Sequence, residues 1–489
     1  MKKFLNKTVS IKIINVLLAT ALLLSLVLIL RIALYAVPWY DDYSYTRNSK
    51  LFQELHGEGL HSAVWGAVET VKGMWWAWQG TFSSIFLMAM CPMIFGEALY
   101  WVGCFFLILI LTVSEITLGY VLAKRAFLMS KDASLCVGLS MAILGVWRLY
   151  NANSGFYWYN AGVHYVAMHS FMMLFIATLI CLCDKKGFLS TLLKIILSVF
   201  LAFMCSGANY VTALQGMLAI IPVACFAFFV RKRLPFVFLP AVIMYVLGFL
   251  NSAHAYGNTR RAAYFVGSAY PAGEAVLRSF VKAFGFWWDF THVFTIVFVI
   301  FLAPVIWKGL EKTTYKFRLP GVVVILAFCF YATSFTPTLY AMGDGDIGRV
   351  LNAAKLTYQL MVVLSEIYVI GWIKNKVSDP SKEIGFVWLY GAGMILLITL
   401  FAVSPMDRIR YVPYGAYYYV HTGEAEAYHN GYMDMVKEIN SQGDDVRVVR
   451  NVFKPVFLYS GELSEDPNYE PNKFMAEWYG KKSIAIKSE

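Results

Sequence analysis

The sequence predicts an all-α polytopic membrane protein that ends in a small extracytoplasmic α/β tail. Of the 489 residues, 59% are hydrophobic and only 15% are charged, and the mean hydropathy is +0.60. A soluble core of this size would not hide so much apolar surface. The apolar residues are also gathered into runs of about 20, the length that crosses a bilayer as a helix.

The charge and the cysteines exclude other classes. The formal net charge of +11 would favour nucleic acid in a soluble protein. Here the lysines and arginines cluster in short loops between apolar runs, as in the cytoplasmic loops of membrane proteins. We therefore expect membrane lipids as partners and no nucleic acid. The eight cysteines lie in or beside apolar runs without a Cys-x-x-Cys pair, which supports neither a disulfide framework nor a zinc site.

The first apolar run, residues 13–37, follows four lysines and predicts a retained first helix with a cytoplasmic amino terminus. The first outer loop, 38–80, contains two amphipathic stretches, 47–56 and 62–78, which we expect at the outer interface. The next run, 81–95, is short and interrupted by Pro92. It is predicted to be re-entrant or interfacial.

Basic loops alternate with acidic and aromatic ones along the rest of the chain, and this alternation predicts a multi-pass protein of the cell membrane with its carboxyl terminus outside. Residues 1–404 would form the transmembrane domain and residues 405–489 the extracytoplasmic domain. We expect eleven spans, at 13–37, 99–122, 133–148, 160–183, 189–206, 210–230, 236–252, 286–307, 319–341, 354–373 and 385–404.

The tail combines helical and strand patterns. Residues 424–439 have helical spacing, 443–445 form a predicted turn, and 446–452 and 456–459 are predicted strands. We expect a small α/β cap that packs on the membrane domain.

An acid pair, Asp41 and Asp42, lies among aromatic residues directly after the first span. Two carboxylates at a membrane interface are partly desolvated, which separates their pKa values and favours acid–base chemistry. The alternative is a solvated turn that caps the next helix. The sequence leaves both interpretations open.

The other outer loops contain arginines and aromatic residues. Arg260, Arg261 and Arg349 carry guanidinium groups that suit phosphate oxygens. The segment Phe156-Tyr157-Trp158-Tyr159-Asn160 suits the apolar face and the hydroxyls of a sugar. Both sets are also typical of interfacial anchors that contact lipid headgroups.

Two further features have ordinary explanations. Residues 343–348 match G-x-G-x-x-G, but they follow a membrane run and lack the strand–helix context of a dinucleotide site. The acidic residues within that match favour a flexible loop beside Arg349. Glu115 and Glu366 lie inside predicted spans, where ionisable residues are candidates for function.

Short motifs throughout the chain resemble the GT-C membrane glycosyltransferases that use polyprenyl-phosphate sugars, and among them the bacterial multi-pass proteins that decorate surface polysaccharides. The matching pieces are Asp41-Asp42-Tyr43, Trp78-Gln79-Gly80, residues 156–165, Gly257-Asn258-Thr259-Arg260, Gly348-Arg349, and the stretch from Asp466-Pro467-Asn468 through Tyr479-Gly480. One departure is Thr81, where relatives often carry an arginine.

The resemblance implies an inverting sugar transfer at the outer face, from a polyprenyl-phosphate-linked donor to a cell-envelope glycan acceptor. One of Asp41 and Asp42 would be the base, with a slight preference for Asp42. The donor phosphate would bind Arg260, Arg349 and Arg261. The sugar or acceptor would contact Tyr157, Trp158, Asn160 and His164. No cofactor and no metal ligand is assigned, and dependence on a divalent metal is left open.

Two alternatives to an enzyme remain. A flippase or transporter of lipid-linked glycans would carry charged groups or broken helices near the middle of the membrane, or internal repeats. A non-catalytic partner of such a pathway would keep the fold with a degenerate site.

Overall fold

The computed structural model describes residues 10–184, 187–233, 235–377, 391, 393–395, 398 and 408–487. Among these residues, eight helices are long and apolar enough to cross a membrane. They are α1 (Ile11–Ala33), α5 (Glu97–Ala126), α7 (Tyr159–Leu182), α8 (Phe188–Ser206), α9 (Tyr210–Val230), α10 (Phe236–Ala253), α14 (Pro320–Met342) and α15 (Gly348–Lys376). The chain is therefore a mainly helical, multi-pass membrane protein.

Three of the eleven predicted spans are not among these eight helices. Residues 133–148 form a 17-residue helix, α6 (Lys131–Trp147). Residues 286–307 fall on α12 (Ala272–Phe290) and α13 (Val293–Gly309), which meet at 80°. The predicted span at 385–404 lies almost entirely outside the described residues. The count of eleven spans thus stays a prediction.

The first outer loop contains two helices, α2 (Asp41–His56) and α3 (Leu60–Ala77). Helix α2 begins six residues before the predicted stretch, so the acid pair forms its first turn, where negative charge suits the helix dipole. A Cβ added to Gly66 would lie 2.4 Å from the Cα of Ser49, so this glycine permits close packing of the two helices. The apolar run that follows forms α4 (Phe82–Ala89) and a 3-10 turn, Pro92–Phe95, which together are too short to cross a bilayer.

Small residues bring the central helices together. A Cβ at Gly138 of α6 would lie 2.6 Å from the carbonyl oxygen of Ile116 in α5. A Cβ at Gly103 would lie 2.4 Å from the ring of Tyr159. Close backbone approach at small residues is typical of membrane helices, and here it places the start of α7 against the outer end of α5.

The tail contains α16 (Val412–His421), α17 (Glu424–Ser441), β1 (Asp445–Val448), α18 (Glu470–Trp478) and β2 (Ser483–Ile486). The two strands are parallel, with Val446 opposite Ile484. The prediction of a strand at 456–459 is wrong, because these residues form a turn in which the amides of Leu458 and Tyr459 both donate to the carbonyl of Pro455.

The tail packs on the face of the membrane domain that carries the acid pair. Arg47 of α2 forms an ion pair with Glu477 of α18 at 2.8 Å, and the Tyr40 hydroxyl donates to Glu470 at 2.7 Å. The Phe457 ring stacks on Tyr157 with 6.1 Å between the ring centroids. These contacts place the tail directly above the acid pair.

Candidate functional site

Asp42 is fully buried and connects three segments of the chain. One of its oxygens, Oδ2, accepts hydrogen bonds from the backbone amide of Trp39 at 2.9 Å and from the Tyr100 hydroxyl at 2.7 Å. The other, Oδ1, accepts the backbone amide of Asn160 at 3.1 Å. Burial raises the pKa of Asp42 to about 7, and the three donors oppose that rise. Asp42 therefore joins the first outer loop to α5 and α7.

Asp41 has a different environment on the same helical turn. It is only partly buried, and its carboxylate forms no hydrogen bond or ion pair with the described residues. Burial raises its pKa to about 6, while the nearby Arg349 lowers it and Glu470 raises it further. Asp41 is thus the carboxylate that a substrate can reach. The geometry therefore favours Asp41 as a base, whereas the sequence slightly favoured Asp42.

Arg349 lies in the first turn of α15, and its guanidinium group sits over the ring of Trp158, 5.7 Å from the centroid. Within the described part of the chain it has no hydrogen bond or ion pair. Its charge acts on Asp41 and also on Tyr45, whose pKa is raised mainly by burial. Arg349 therefore links the acid pair to the aromatic segment. The sequence predicted these three features separately and did not predict that they lie together.

Arg261 lies in α11 (Tyr256–Tyr264). It donates through Nη1 to the Gln79 side-chain oxygen at 2.8 Å and lies over the ring of Trp78 at 5.5 Å. Arg261 and Arg349 both act electrostatically on Tyr45. Arg260, the neighbouring residue, is exposed and forms none of these contacts. The structure thus groups Arg261, and not Arg260, with Arg349.

Two glycines allow Trp78-Gln79-Gly80 to pack against the chain segment that contains Gly257. A Cβ at Gly80 would lie 2.1 Å from the carbonyl oxygen of Ser252, and one at Gly257 would lie 2.5 Å from the backbone nitrogen of Trp78. Both positions therefore require glycine for close backbone packing. This packing brings Arg261 within reach of Gln79.

The four predicted sugar-binding residues differ in exposure and in their hydrogen-bond partners. Tyr157 is buried, and its hydroxyl donates to the carbonyl of Ile29 at 3.3 Å, so it supports the fold and does not offer a surface for a sugar. Asn160 is fully buried, and its side-chain amide has no partner among the described residues. Trp158 is partly exposed. His164 pairs through Nδ1 with the Ser84 hydroxyl at 2.9 Å and is also partly exposed.

A large cavity of about 1180 Å³ adjoins Trp158 and Arg349, between the outer loops and the tail. Its lining includes five cationic side chains, Arg148, Arg349, Lys355, Arg410 and Lys454, and one carboxylate, Asp289. Neither Asp41 nor Asp42 lines it, and Arg349 connects the two regions. Arg349 is the only one of these five cations that the sequence predicted as a site residue. The other four come from distant chain segments, and no local motif marks them.

Metal binding has no support from the described residues. They contain no group of three or more His, Cys, Asp or Glu side chains that could hold a metal ion. In the acidic loop before Arg349, Asp346 forms an ion pair with Lys282 at 2.6 Å, and Asp344 accepts the backbone amide of Asp346 at 2.8 Å. Contacts within the protein thus account for both carboxylates.

No protein family model, curated protein or solved structure matches this chain. The resemblance to GT-C glycosyltransferases therefore rests on the short motifs, and the activity that it implies is a proposal.

Proposed function

We propose that this protein transfers a sugar from a polyprenyl-phosphate donor to a cell-envelope glycan at the outer face of the membrane, with Asp41 as the base. The observation that carries the proposal is the open carboxylate of Asp41 beside Arg349, next to a buried Asp42 whose oxygens are already engaged. In such a pair Asp41 is available to accept a proton, and Asp42 supports the structure.

The reaction requires a base for the acceptor hydroxyl and cations for the leaving phosphate. A glycan hydroxyl attacks the anomeric carbon of the donor sugar and passes its proton to Asp41 as the new C–O bond forms. The bond from the anomeric carbon to the phosphate oxygen breaks, and its electron pair leaves with the polyprenyl phosphate. Arg349 and Arg261, which both act electrostatically on Tyr45, would stabilise the charge that develops on the phosphate.

The surroundings of Arg261 suit a lipid-linked donor. Near this arginine, Tyr264 is 77% exposed and Val266 is 82% exposed. Exposed apolar side chains of this kind are stable against lipid. A polyprenyl chain in the bilayer could therefore place its phosphate at Arg261 without leaving the membrane.

The orientation of the site is testable by labelling. The tail beyond residue 404 has no cysteine, and Glu465 in it is exposed. In a background without the native cysteines, Glu465→Cys should react with a membrane-impermeant thiol reagent in intact cells. Labelling only after lysis would place the tail in the cytoplasm and contradict transfer at the outer face.

The activity is tested by comparing envelope glycans from cells that lack the protein with those from cells that carry wild-type, Asp41→Asn or Asp434→Asn protein. Asp434→Asn is the matched control, because Asp434 lies exposed on α17 away from the site. Asp41→Asn should reduce transfer by roughly 10² to 10⁴, the usual worth of a general base. Full transfer by a normally folded Asp41→Asn protein would overturn the proposal.

A transporter of lipid-linked glycans is the second candidate, because Glu366 inside α15 has both carboxylate oxygens buried without a partner among the described residues. Buried carboxylates in spans are typical of coupled transport. A flipping assay with a fluorescent lipid-linked sugar in proteoliposomes separates the two candidates. Flipping that depends on Glu366 and not on Asp41 would favour the transporter.

A further inference from the structure

The wall of the cavity between the outer loops and the tail includes a buried lysine. Lys355 in α15 is only 5% exposed and lines the cavity. It forms no hydrogen bond or ion pair with any residue that the structure describes. A buried ammonium group without a partner is strongly destabilising. An anion that enters the cavity would relieve this destabilisation.

Two further cations of the lining have contacts that the structure describes. Lys454 forms an ion pair with Glu462 at 2.8 Å. Arg349 lies over the ring of Trp158 and has no ion pair with the described residues. An aromatic ring holds an arginine in place without cancelling its charge. Lys355 and Arg349 therefore offer cationic groups to an anion in the cavity.

The volume and the walls of the cavity indicate an extended occupant. About 1180 Å³ exceeds the roughly 300–1,000 Å³ of ordinary small-ligand sites. The aromatic residues Tyr150, Trp158, Trp288 and Tyr459 also line it. Aromatic faces that alternate with cations suit a chain of sugars that carries negative groups.

We propose that this cavity binds the acceptor, a glycan chain that carries phosphate or carboxylate groups. The identification of the occupant as the acceptor rests on the sugar transfer proposed above. Arg261, which belongs to α11, does not line the cavity, whereas Arg349 both lines the cavity and acts on Asp41. An acceptor held in the cavity would therefore reach Asp41 past Arg349, from the side opposite to the lipid.

Binding is measured by fluorescence anisotropy on the purified full-length protein with three labelled oligomers of similar length. A glycerol phosphate oligomer carries phosphates, an oligogalacturonate carries carboxylates, and a maltooligosaccharide is neutral. We expect one or both anionic oligomers to bind more tightly than the neutral one, with affinity that falls as salt rises. The comparison between the two anionic oligomers identifies the charged group. Equal binding of all three would overturn the proposal.

Variants locate the binding. Lys355→Met keeps the volume of the side chain and removes its charge, so it should weaken binding of the anionic oligomer by about tenfold or more. Lys454→Gln lies at the partly exposed edge of the cavity, and should weaken binding less without endangering the fold. Lys473→Gln is the matched control, because Lys473 is exposed on the tail and does not line the cavity. Binding that ignores both Lys355→Met and Lys454→Gln would refute the assignment.

Two further measurements separate this inference from the proposed reaction. Asp41→Asn should bind the anionic oligomer like the wild type. Wild-type protein that binds the oligomer through Lys355 but transfers no sugar would contradict the reaction and leave the cavity assignment standing. Farnesyl phosphate, a short-chain polyprenyl phosphate, should not displace the oligomer. Competition that depends on Lys355 would show that the cavity holds the donor phosphate and would overturn the proposal.

Discussion

Glu97 should decide how firmly the tail is held on the membrane domain. Its Oε1 accepts hydrogen bonds from the Tyr479 hydroxyl at 2.6 Å and from the Trp478 indole at 3.2 Å, and its Oε2 accepts the Tyr432 hydroxyl at 2.9 Å. The Tyr432 hydroxyl also pairs with that of Tyr43 at 2.6 Å. One carboxylate at the outer end of α5 thus connects α17, the end of α18 and α2.

The expected size of the effect follows from these contacts. A hydrogen bond to a charged group contributes about 1.5 to 3 kcal/mol, but three bonds to one carboxylate are not additive, and Glu97 is partly exposed to water. We therefore expect Glu97→Ala to weaken docking of the tail by about 3 kcal/mol, or about a hundredfold in the docking equilibrium. Glu97→Gln keeps one oxygen acceptor and should lose about half of that.

Hydrogen–deuterium exchange on the purified protein measures this directly. Peptides that cover 428–436 and 472–480 should exchange faster in Glu97→Ala, while peptides from α5 beyond its first turn should not change. Glu58→Ala is the control, because Glu58 is exposed and has no hydrogen bond or ion pair with the described residues. Unchanged exchange of the tail peptides in Glu97→Ala would refute the reasoning that this carboxylate holds the tail.

Three other changes test the site. The pKa of Asp41 is raised to about 6 and a base must be ionised, so kcat/KM for transfer should fall as the pH drops through about 6. Arg349→Gln removes a charge that lowers this pKa, so the pH at which kcat/KM falls should rise by about one unit. An unchanged pH dependence would exclude Asp41 as the group that titrates. Asp42→Asn places an amide among three donors and should lower the melting temperature in a thermal shift assay, whereas Asp41→Asn should not; equal melting temperatures would contradict the structural role of Asp42. Gly257→Ala places a Cβ 2.5 Å from the backbone nitrogen of Trp78 and should raise KM for the lipid-linked sugar. Gly273→Ala is the control, because a Cβ there has no atom within 4 Å. Equal KM values for the two variants would show that α11 does not contribute to donor binding.

Hydropathy predicted the spans well where lipid alone determines their ends. The predicted runs 189–206 and 210–230 correspond closely to Phe188–Ser206 and Tyr210–Val230. Helix α15 begins at Gly348, six residues before the predicted start. The added residues include Arg349 and Asn352, which lower the local hydropathy, but Asn352 is fully buried and accepts the backbone amide of Asn151. Only the folded structure reveals that environment.

The site was predictable in its pieces and not in its arrangement. Neighbouring residues on a helix point about 100° apart, so a sequence cannot decide between Asp41 and Asp42, or between Arg260 and Arg261. Packing of the surrounding elements makes that choice. In the tail, the strand at 483–486 pairs with a partner almost forty positions earlier, and such non-local pairing leaves no local signal.

The two adjacent carboxylates divide their roles because their surroundings differ, and the buried one gives the other its position. Asp42 is stable in the interior only because three donors from separate chain segments converge on it. The same hydrogen bonds fix the first turn of α2 against the outer ends of α5 and α7. Asp41 lies on that turn and is therefore held beside Arg349 without any hydrogen bond to the described protein. A carboxylate positioned by its neighbour keeps both of its own oxygens available for a substrate hydroxyl.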